Sequence, residues 1–197
     1  MTNVLVISAH PNSDSFNHGV LDEAVSELQS LGHEIQIRDL YSLQFDPVMT
    51  VEDLANSKEG TARGDVLAEQ ELVQWADMLI VIYPLWWAGL PALLKGYIDR
   101  VFAYGFAYAM NDSGLQKLLT GKKALLITTM GNSEAHYRQV GMFEALQKTI
   151  DEGIFDFVGI QVLEHRYFES VPTVDDTTRA NMLEHVKELI RTHLFKS

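Results

Sequence analysis

Residues 78–102 read MLIVIYPLWWAGLPALLKGYIDRVF, and the two halves of that stretch ask for different backbones. Met78 to Tyr83 is an unbroken apolar run with isoleucine and valine in it, the pattern of a parallel strand covered on both faces. From Pro91 onward the apolar residues fall at 93, 94, 97, 98, 101 and 102, which is helical spacing. Proline costs little in a helix's first turn, because its missing N–H would have no partner there. Between the halves lies Pro84-Leu85-Trp86-Trp87-Ala88-Gly89, too short for another element and too aromatic for an ordinary surface loop. A loop leaving the carboxyl end of a parallel strand is where open α/β sheets place ligands. Paired tryptophans there are either core residues near a strand end or walls for a flat aromatic guest.

The chain on either side keeps alternating strand and helix. Asn3 to Ala9 is a second buried-strand run, followed by the polar loop His10-Pro11-Asn12-Ser13-Asp14 and an amphipathic helix from about Ser15 to Leu31. Ser13 or Ser15 can cap that helix, and Gly32 is placed to end it. Residues 34–40 alternate as a more exposed strand does, which makes one right-handed βαβ unit. From Tyr41 to Gly64 a long loop is expected, with a short helix near Val51 to Ser57 and enough length to reach over a ligand. A helix covers Asp65 to Trp75. Ala103 to Met110 alternates aromatic and small residues, an extended excursion with one sticky face suited to subunit contact. Lys122 to Thr129 is the fourth strand and Met130 to Tyr137 its exit loop. A helix from Met142 to Glu152, a last strand from Phe157 to Leu163 and a charged helix from Val174 to Phe195 complete the chain. With no repeat or linker, residues 1–197 read as a single α/β domain built on a five-stranded parallel sheet, order 2-1-3-4-5. That order brings three exit loops, His10 to Asn17, Pro84 to Gly89 and Met130 to Tyr137, to one crevice.

Composition removes several classes of function. The absence of cysteine excludes disulfides, thiolate nucleophiles and thiolate-held metals, and no metal is expected. A net charge of −12 argues against a nucleic-acid partner, whose phosphates need a basic face. No signal-like leader and no apolar run near the ~20 residues of a membrane span is present, so a soluble cytoplasmic protein is expected. The first loop ends at a helix N-terminus, where free N–H groups and the macrodipole favour an anion; His10, Ser15, the Phe16 N–H and Asn17 can hold a phosphate there. Neither G-x-x-x-x-G-K-[ST] nor G-x-G-x-x-G occurs, which counts against a nucleoside triphosphate or a Rossmann dinucleotide. The plainer readings are a hydrogen-bonded loop histidine at His10 and helix capping at Ser13 and Ser15.

These residues carry a resemblance. His10-Pro11 with Ser15-Phe16-Asn17, Asp39-Leu40-Tyr41, Phe45-Asp46-Pro47, Glu69-Gln70, Pro84 to Pro91 with Lys95-Gly96 and Asp99 to Phe102, and Thr128-Thr129-Met130-Gly131 together resemble the flavodoxin-like NAD(P)H:quinone oxidoreductases of the DT-diaphorase type, over nearly the whole chain. The resemblance implies a flavodoxin-like fold and a homodimer whose sites each hold FAD or FMN non-covalently. NAD(P)H and a quinone or similar acceptor would take turns over one flavin face. By motif position, His10, Ser15, Phe16 and Asn17 would hold the flavin phosphate end. Pro84, Leu85, Trp86, Trp87 and Ala88 would flank the ring, and Thr128, Thr129, Met130, Gly131 and Asn132 would meet its pyrimidine edge. A flavin that accepts hydride gains negative charge at N1 and O2, so donors are needed there. The Gly131 and Asn132 N–H groups and either Tyr137 or His136 are of the right kind, the alternative for both side chains being ordinary surface packing. The sequence departs from the family where Trp86 replaces a common glutamine and Met130 a second glycine. It departs again where His136 and Tyr137 are adjacent in a loop one residue longer, with Met142 and Phe143 in the region of a later histidine. Two alternatives stand beside it: a flavodoxin-type electron carrier, whose acidity the chain shares but whose Thr- and Gly-rich phosphate loop it lacks, and, as relatives of similar size suggest, an ancillary subunit of a glutathione-gated potassium efflux system in peripheral contact with its transporter.

Overall fold

A computed structural model describes residues 1–194, so Phe195, the expected end of the last helix, lies outside the described residues. Strand β1 (Asn3–Ser8) leads into helix α1 (Phe16–Ser30), β2 (Glu34–Asp39), α2 (Val51–Lys58), α3 (Gly64–Trp75) and β3 (Met78–Pro84). Helix α4 (Ala92–Val101), the hairpin β4 (Tyr108–Asn111) and β5 (Gly114–Lys117), and β6 (Lys123–Thr129) follow. The chain closes with α5 (Glu134–Gln139), α6 (Met142–Leu146) running into a π-helical segment Gln147–Asp156, β7 (Gln161–Phe168) and α7 (Asp176–Leu194). The main sheet runs β2-β1-β3-β6-β7, all parallel. Counted over the parallel strands alone, that is the expected order 2-1-3-4-5.

The apolar run at β3 sits in the middle because both its faces are covered. Leu79, Val81 and Tyr83 join one core with Leu94, Tyr97 and Val101 of α4, while Met78, Ile80 and Ile82 join a second with residues of α1 and α7. Strand geometry sends successive side chains to opposite faces, so a strand with two cores must be apolar throughout. Helix α1 starts at Ser15, whose hydroxyl accepts from the His18 N–H, and Gly32 ends it in the left-handed region at φ 71°. Helix α2 carries a reciprocal cap between Thr50 and Asp53.

Three expectations are corrected. The last strand lies at Gln161–Phe168 rather than Phe157 to Leu163, because the helical chain runs on past Glu152 through the π-helical segment, burying Ile150 and Phe155, and turns only at Gly159 (φ 95°). Strand β7 reads QVLEHRYF, whose polar positions suit an edge strand and hid it from a search for apolar runs. The excursion after Phe102 is half hairpin: Gly114 takes φ 101° and the Asn111 side chain accepts from the Ser113 N–H, closing a turn that lets β4 pair with β5. The segment 41–64 does not arch over a ligand. Arg100 holds the Asp46 carbonyl and the Asp53 carboxylate, and Pro47 rests on Gly96, so the segment lies strapped along α4.

Candidate functional site

Parallel register brings the strand ends level. Pro84 pairs with Thr129, the Leu85 N–H donates to Thr129 O (2.8 Å), and the Ala9 N–H donates to Ile82 O (3.1 Å). The loops leaving β1, β3 and β6 therefore emerge side by side. They enclose a crevice of about 360 Å³ lined by His10, Ser15, Phe16, Asn17, Pro84, Leu85, Trp86, Thr129, Met130 and Gly131, with Val171 and Pro172 from the chain after β7. The volume falls within the roughly 300–1,000 Å³ of small-molecule sites.

The first turn of α1 borders the crevice, and the N–H groups of Phe16 and Asn17 have no acceptor within the helix. Asn17 is buried. Its amide nitrogen donates to the Thr129 hydroxyl (2.8 Å), and its Oδ1 has no partner among the described residues. A buried amide atom left without a partner costs about 1–3 kcal/mol, so this group is placed for a ligand. Amide oxygen and nitrogen are assigned from their partners, and the reversed amide would accept from Thr129 and donate to a phosphate equally well. The His10 ring lies between the first turn of α1 and the tryptophan wall, 6.4 Å from the His18 ring and 5.9 Å from that of Trp86. Met130 is anchored by its N–H donating to Phe168 O (2.8 Å), and its carbonyl accepts from the Val171 N–H (3.1 Å), which seals that flank.

The tryptophans are not core. Trp86 is 40% exposed at the crevice wall, and Trp87 stands fully in water at the tip of a tight turn. The turn is closed by Trp86 N–H to Gly89 O (3.1 Å) and Gly89 N–H to Trp86 O (3.0 Å). Both central residues, Trp87 (φ 50°) and Ala88 (φ 54°), sit in the left-handed region without being glycine. Strain of that kind costs about 1–3 kcal/mol per residue and gathers at ligand clamps.

Four expected site residues lie outside the crevice lining: Trp87, Ala88, Thr128 and Asn132. Thr128 is buried and faces the opposite side of the sheet from Thr129, its hydroxyl 2.9 Å from His165 Nε2. His136 and Tyr137 also lie outside it. They belong to α5, a helix capped by Ser133 rather than a loop; His136 is exposed, and Tyr137 is half-buried against the core that includes Phe143. Val171 and Pro172 are not among the residues the sequence points to, because a last strand expected at Phe157 to Leu163 puts its exit loop elsewhere. The rule that ligands meet the carboxyl ends of parallel strands finds them once β7 is set at Gln161–Phe168.

The family model described as flavodoxin-like fold matches residues 2–191. A Haemophilus influenzae protein named as an uncharacterized NAD(P)H oxidoreductase is 35% identical over 183 residues, covering 92% of this chain and 91% of its own. The structure of an NAD(P)H:quinone oxidoreductase from Methanothermobacter marburgensis superposes with a TM-score of 0.86 at 28% identity, covering 100% of this chain and 98% of its own. General stress protein 14 from Treponema denticola, solved in complex with FMN, superposes with a TM-score of 0.68 at 25% identity, covering 98% of this chain and 97% of its own. No helix among the described residues is long and apolar enough to cross a membrane.

Proposed function

The chain belongs to the flavodoxin-like NAD(P)H:quinone oxidoreductase family, and on that premise we propose that its crevice holds FMN and that NAD(P)H reduces a quinone-type acceptor there by two-electron transfer. The observation that carries the proposal is the buried, part-unpartnered Asn17 amide beside the free N–H groups of α1, on residues that line a crevice walled by Trp86. Ser15, the Phe16 N–H and Asn17 take the phosphate, with His10 alongside. Leu85 and Trp86 flank the ring, and Met130 and Gly131 meet its polar edge. FMN fits better than FAD because Gln70 and the 41–64 segment, which with Asn17 are the parts of the chain that could receive an adenosine, are engaged elsewhere. The Gln70 side chain donates to Val101 O (3.1 Å), and the 41–64 segment lies on α4. When bound, the flavin supplies the hydride-accepting centre. Overall, NAD(P)H gives up a hydride, and the acceptor gains two electrons and two protons, the second proton coming from solvent.

The protein should purify yellow, release FMN on denaturation, and oxidise NAD(P)H with a quinone in a ping-pong pattern. Colourless protein that binds neither added FMN nor FAD would refute this reading; chromatography of the released flavin separates the two cofactors.

Tyr137 packs on the Phe143 core outside the crevice lining, so it can serve as the proton-handling side chain only if α5 shifts toward the flavin; in that role Tyr137→Phe should slow NAD(P)H-driven flavin bleaching in single turnover by at most about tenfold with FMN affinity little changed. A donor aimed at developing charge acts in the transition state, and the N–H groups of Gly131 and Asn132 share that charge. His136→Ala is the comparison. A larger loss there assigns the role to the histidine, and no loss in either leaves it to the backbone.

The same reading includes a homodimer. Between α4, the 41–64 segment and the π-helical segment runs a groove of about 600 Å³ whose lining includes Met49, Leu54, Ile98, Phe102, Tyr108 and Phe157. Aromatic and methionine side chains of this kind mark the buried centre of subunit interfaces. Sedimentation should show a dimer at micromolar concentration, and a monomer there would remove the claim. Contact with a membrane transporter is a separate matter that a pull-down would decide.

A further inference from the structure

Beneath the crevice floor lies a polar cluster that the reading above does not use. The side chain of His165 of β7 is buried, and its imidazole reaches across two strands: Nε2 lies 2.9 Å from the Thr128 hydroxyl of β6 and 3.2 Å from the Tyr83 hydroxyl of β3. On the other side, Nδ1 lies 2.6 Å from the Asp151 carboxylate, carried by the π-helical segment. The Tyr167 ring stacks on the imidazole at 4.0 Å, with its hydroxyl 2.9 Å from Nδ1. π-Helical turns are uncommon and recur at functional sites.

We propose that His165 is a positioning residue for the flavin crevice, holding the ends of β3 and β6 together through Nε2 while Asp151 fixes its tautomer through Nδ1. Thr128 and Tyr83 immediately precede Thr129 and Pro84, which are register partners and both line the crevice. Each hydroxyl therefore pins the residue directly below a crevice wall. The charged acceptor keeps the proton on Nδ1, as charge-assisted hydrogen bonds are the stronger ones, and Nε2 is left to accept. Burial pushes the phenols of Tyr83 and Tyr167 well above their ordinary range, so both keep their protons: Tyr83 donates to Nε2, while the Tyr167 oxygen lies beside the protonated Nδ1 as a second acceptor. One lone pair serves two hydroxyls. A second proton on the imidazole reverses every bond at Nε2, so the strand ends are coupled to the protonation of His165. The titratable groups facing it are Asp151 from the π-helical segment, Tyr83 from β3 and Tyr167 from β7, with Glu134 of α5 acting on Tyr167 by charge.

This inference depends on flavin occupying the crevice, and its test separates the two. In flavin-free protein, imidazole ¹⁵N NMR should show His165 protonated at Nδ1 and unprotonated at Nε2 at pH 7.5. FMN affinity, read by fluorescence on folded protein, should fall at least tenfold in His165→Leu. It should recover to within about threefold in His165→Gln, whose amide oxygen can accept from the same hydroxyls. Should His165→Leu fail to fold, Asp151→Ala takes its place, with mixed tautomers and at least threefold weaker FMN binding expected. An Nε2–H tautomer, or wild-type FMN affinity in folded His165→Leu or Asp151→Ala, overturns the positioning role alone. Wild-type protein that binds no flavin overturns both readings.

Discussion

Replacing Arg100 with methionine should destabilise the protein by roughly 3–5 kcal/mol at neutral pH, toward the lower figure because Asp65 is half in water. The guanidinium is buried between three segments. It donates to the Asp53 carboxylate (3.0 and 3.3 Å), the Asp65 carboxylate (2.6 and 3.1 Å) and Asp46 O (2.8 Å), and it lies over the Phe45 ring at 5.2 Å. Methionine keeps the stem but leaves two carboxylates and a carbonyl facing apolar surface. The hydrogen bond from Arg100 holds the Asp53 carboxyl below its ordinary range against the opposing effect of burial, helped by Thr50. A depressed folded-state pKa means that the unfolded chain binds the proton more readily. The stabilisation is therefore complete above the ordinary carboxyl value near 4 and fades as pH falls below it. The gap between wild type and Arg100→Met should be widest at pH 7 and narrow below about pH 4. Urea unfolding at several pH values measures it, and a difference under about 1 kcal/mol at pH 7 would contradict the clamp.

Gly96→Ala should also destabilise, against the helix propensity that favours it. Alanine in a helix interior gains up to about 1 kcal/mol over glycine. A Cβ at position 96, however, would lie 2.3 Å from Pro47 O, 2.4 Å from Pro47 Cβ and 2.7 Å from Pro47 Cα. Two of those atoms are backbone, so no rotamer relieves the clash. Overpacking costs about 1–3 kcal/mol and more where nothing yields, so the expected net loss is about 2 kcal/mol, with residues 41–64 lifted from α4. Hydrogen exchange and limited proteolysis should report that segment opening first. Gly19→Ala in α1 is the control: its Cβ would meet Leu183 at an ordinary 3.6 Å, and the variant should be neutral or slightly more stable. Equal stability gains in both variants would show that Pro47 can move. Because Met49 and Leu54 line the groove beside α4, both destabilised variants should dimerise more weakly.

Much of the crevice was legible because the rules involved are local. The Met78 run, the Ser15 cap and the proline at the start of α4 each follow from side-chain pattern, and parallel order then sets which loops meet. His10, Ser15, Phe16, Asn17, Leu85 and Trp86 came together as that order requires. Where a residue's face depends on strand phase the sequence was blind: Thr128 and Thr129 are adjacent and alike, yet one turns to the crevice and the other to His165.

The sequence by itself determined the alternation of strands and helices, the five-stranded parallel order, the caps of α1 and the three loops at the switch point, because apolar periodicity and capping are properties of a few neighbouring residues. The tertiary structure decided the π-helical segment and the true position of β7, the strapping of residues 41–64 onto α4, the exposure of Trp87, and the convergence of Tyr83, Thr128, Asp151, His165 and Tyr167. Each of these depends on what a distant part of the chain offers: an arginine 47 residues from Asp53, a glycine that admits Pro47, or an imidazole 82 residues from Tyr83. Polar edge strands and buried hydroxyls leave no period in the sequence, since their partners are chosen by packing in space.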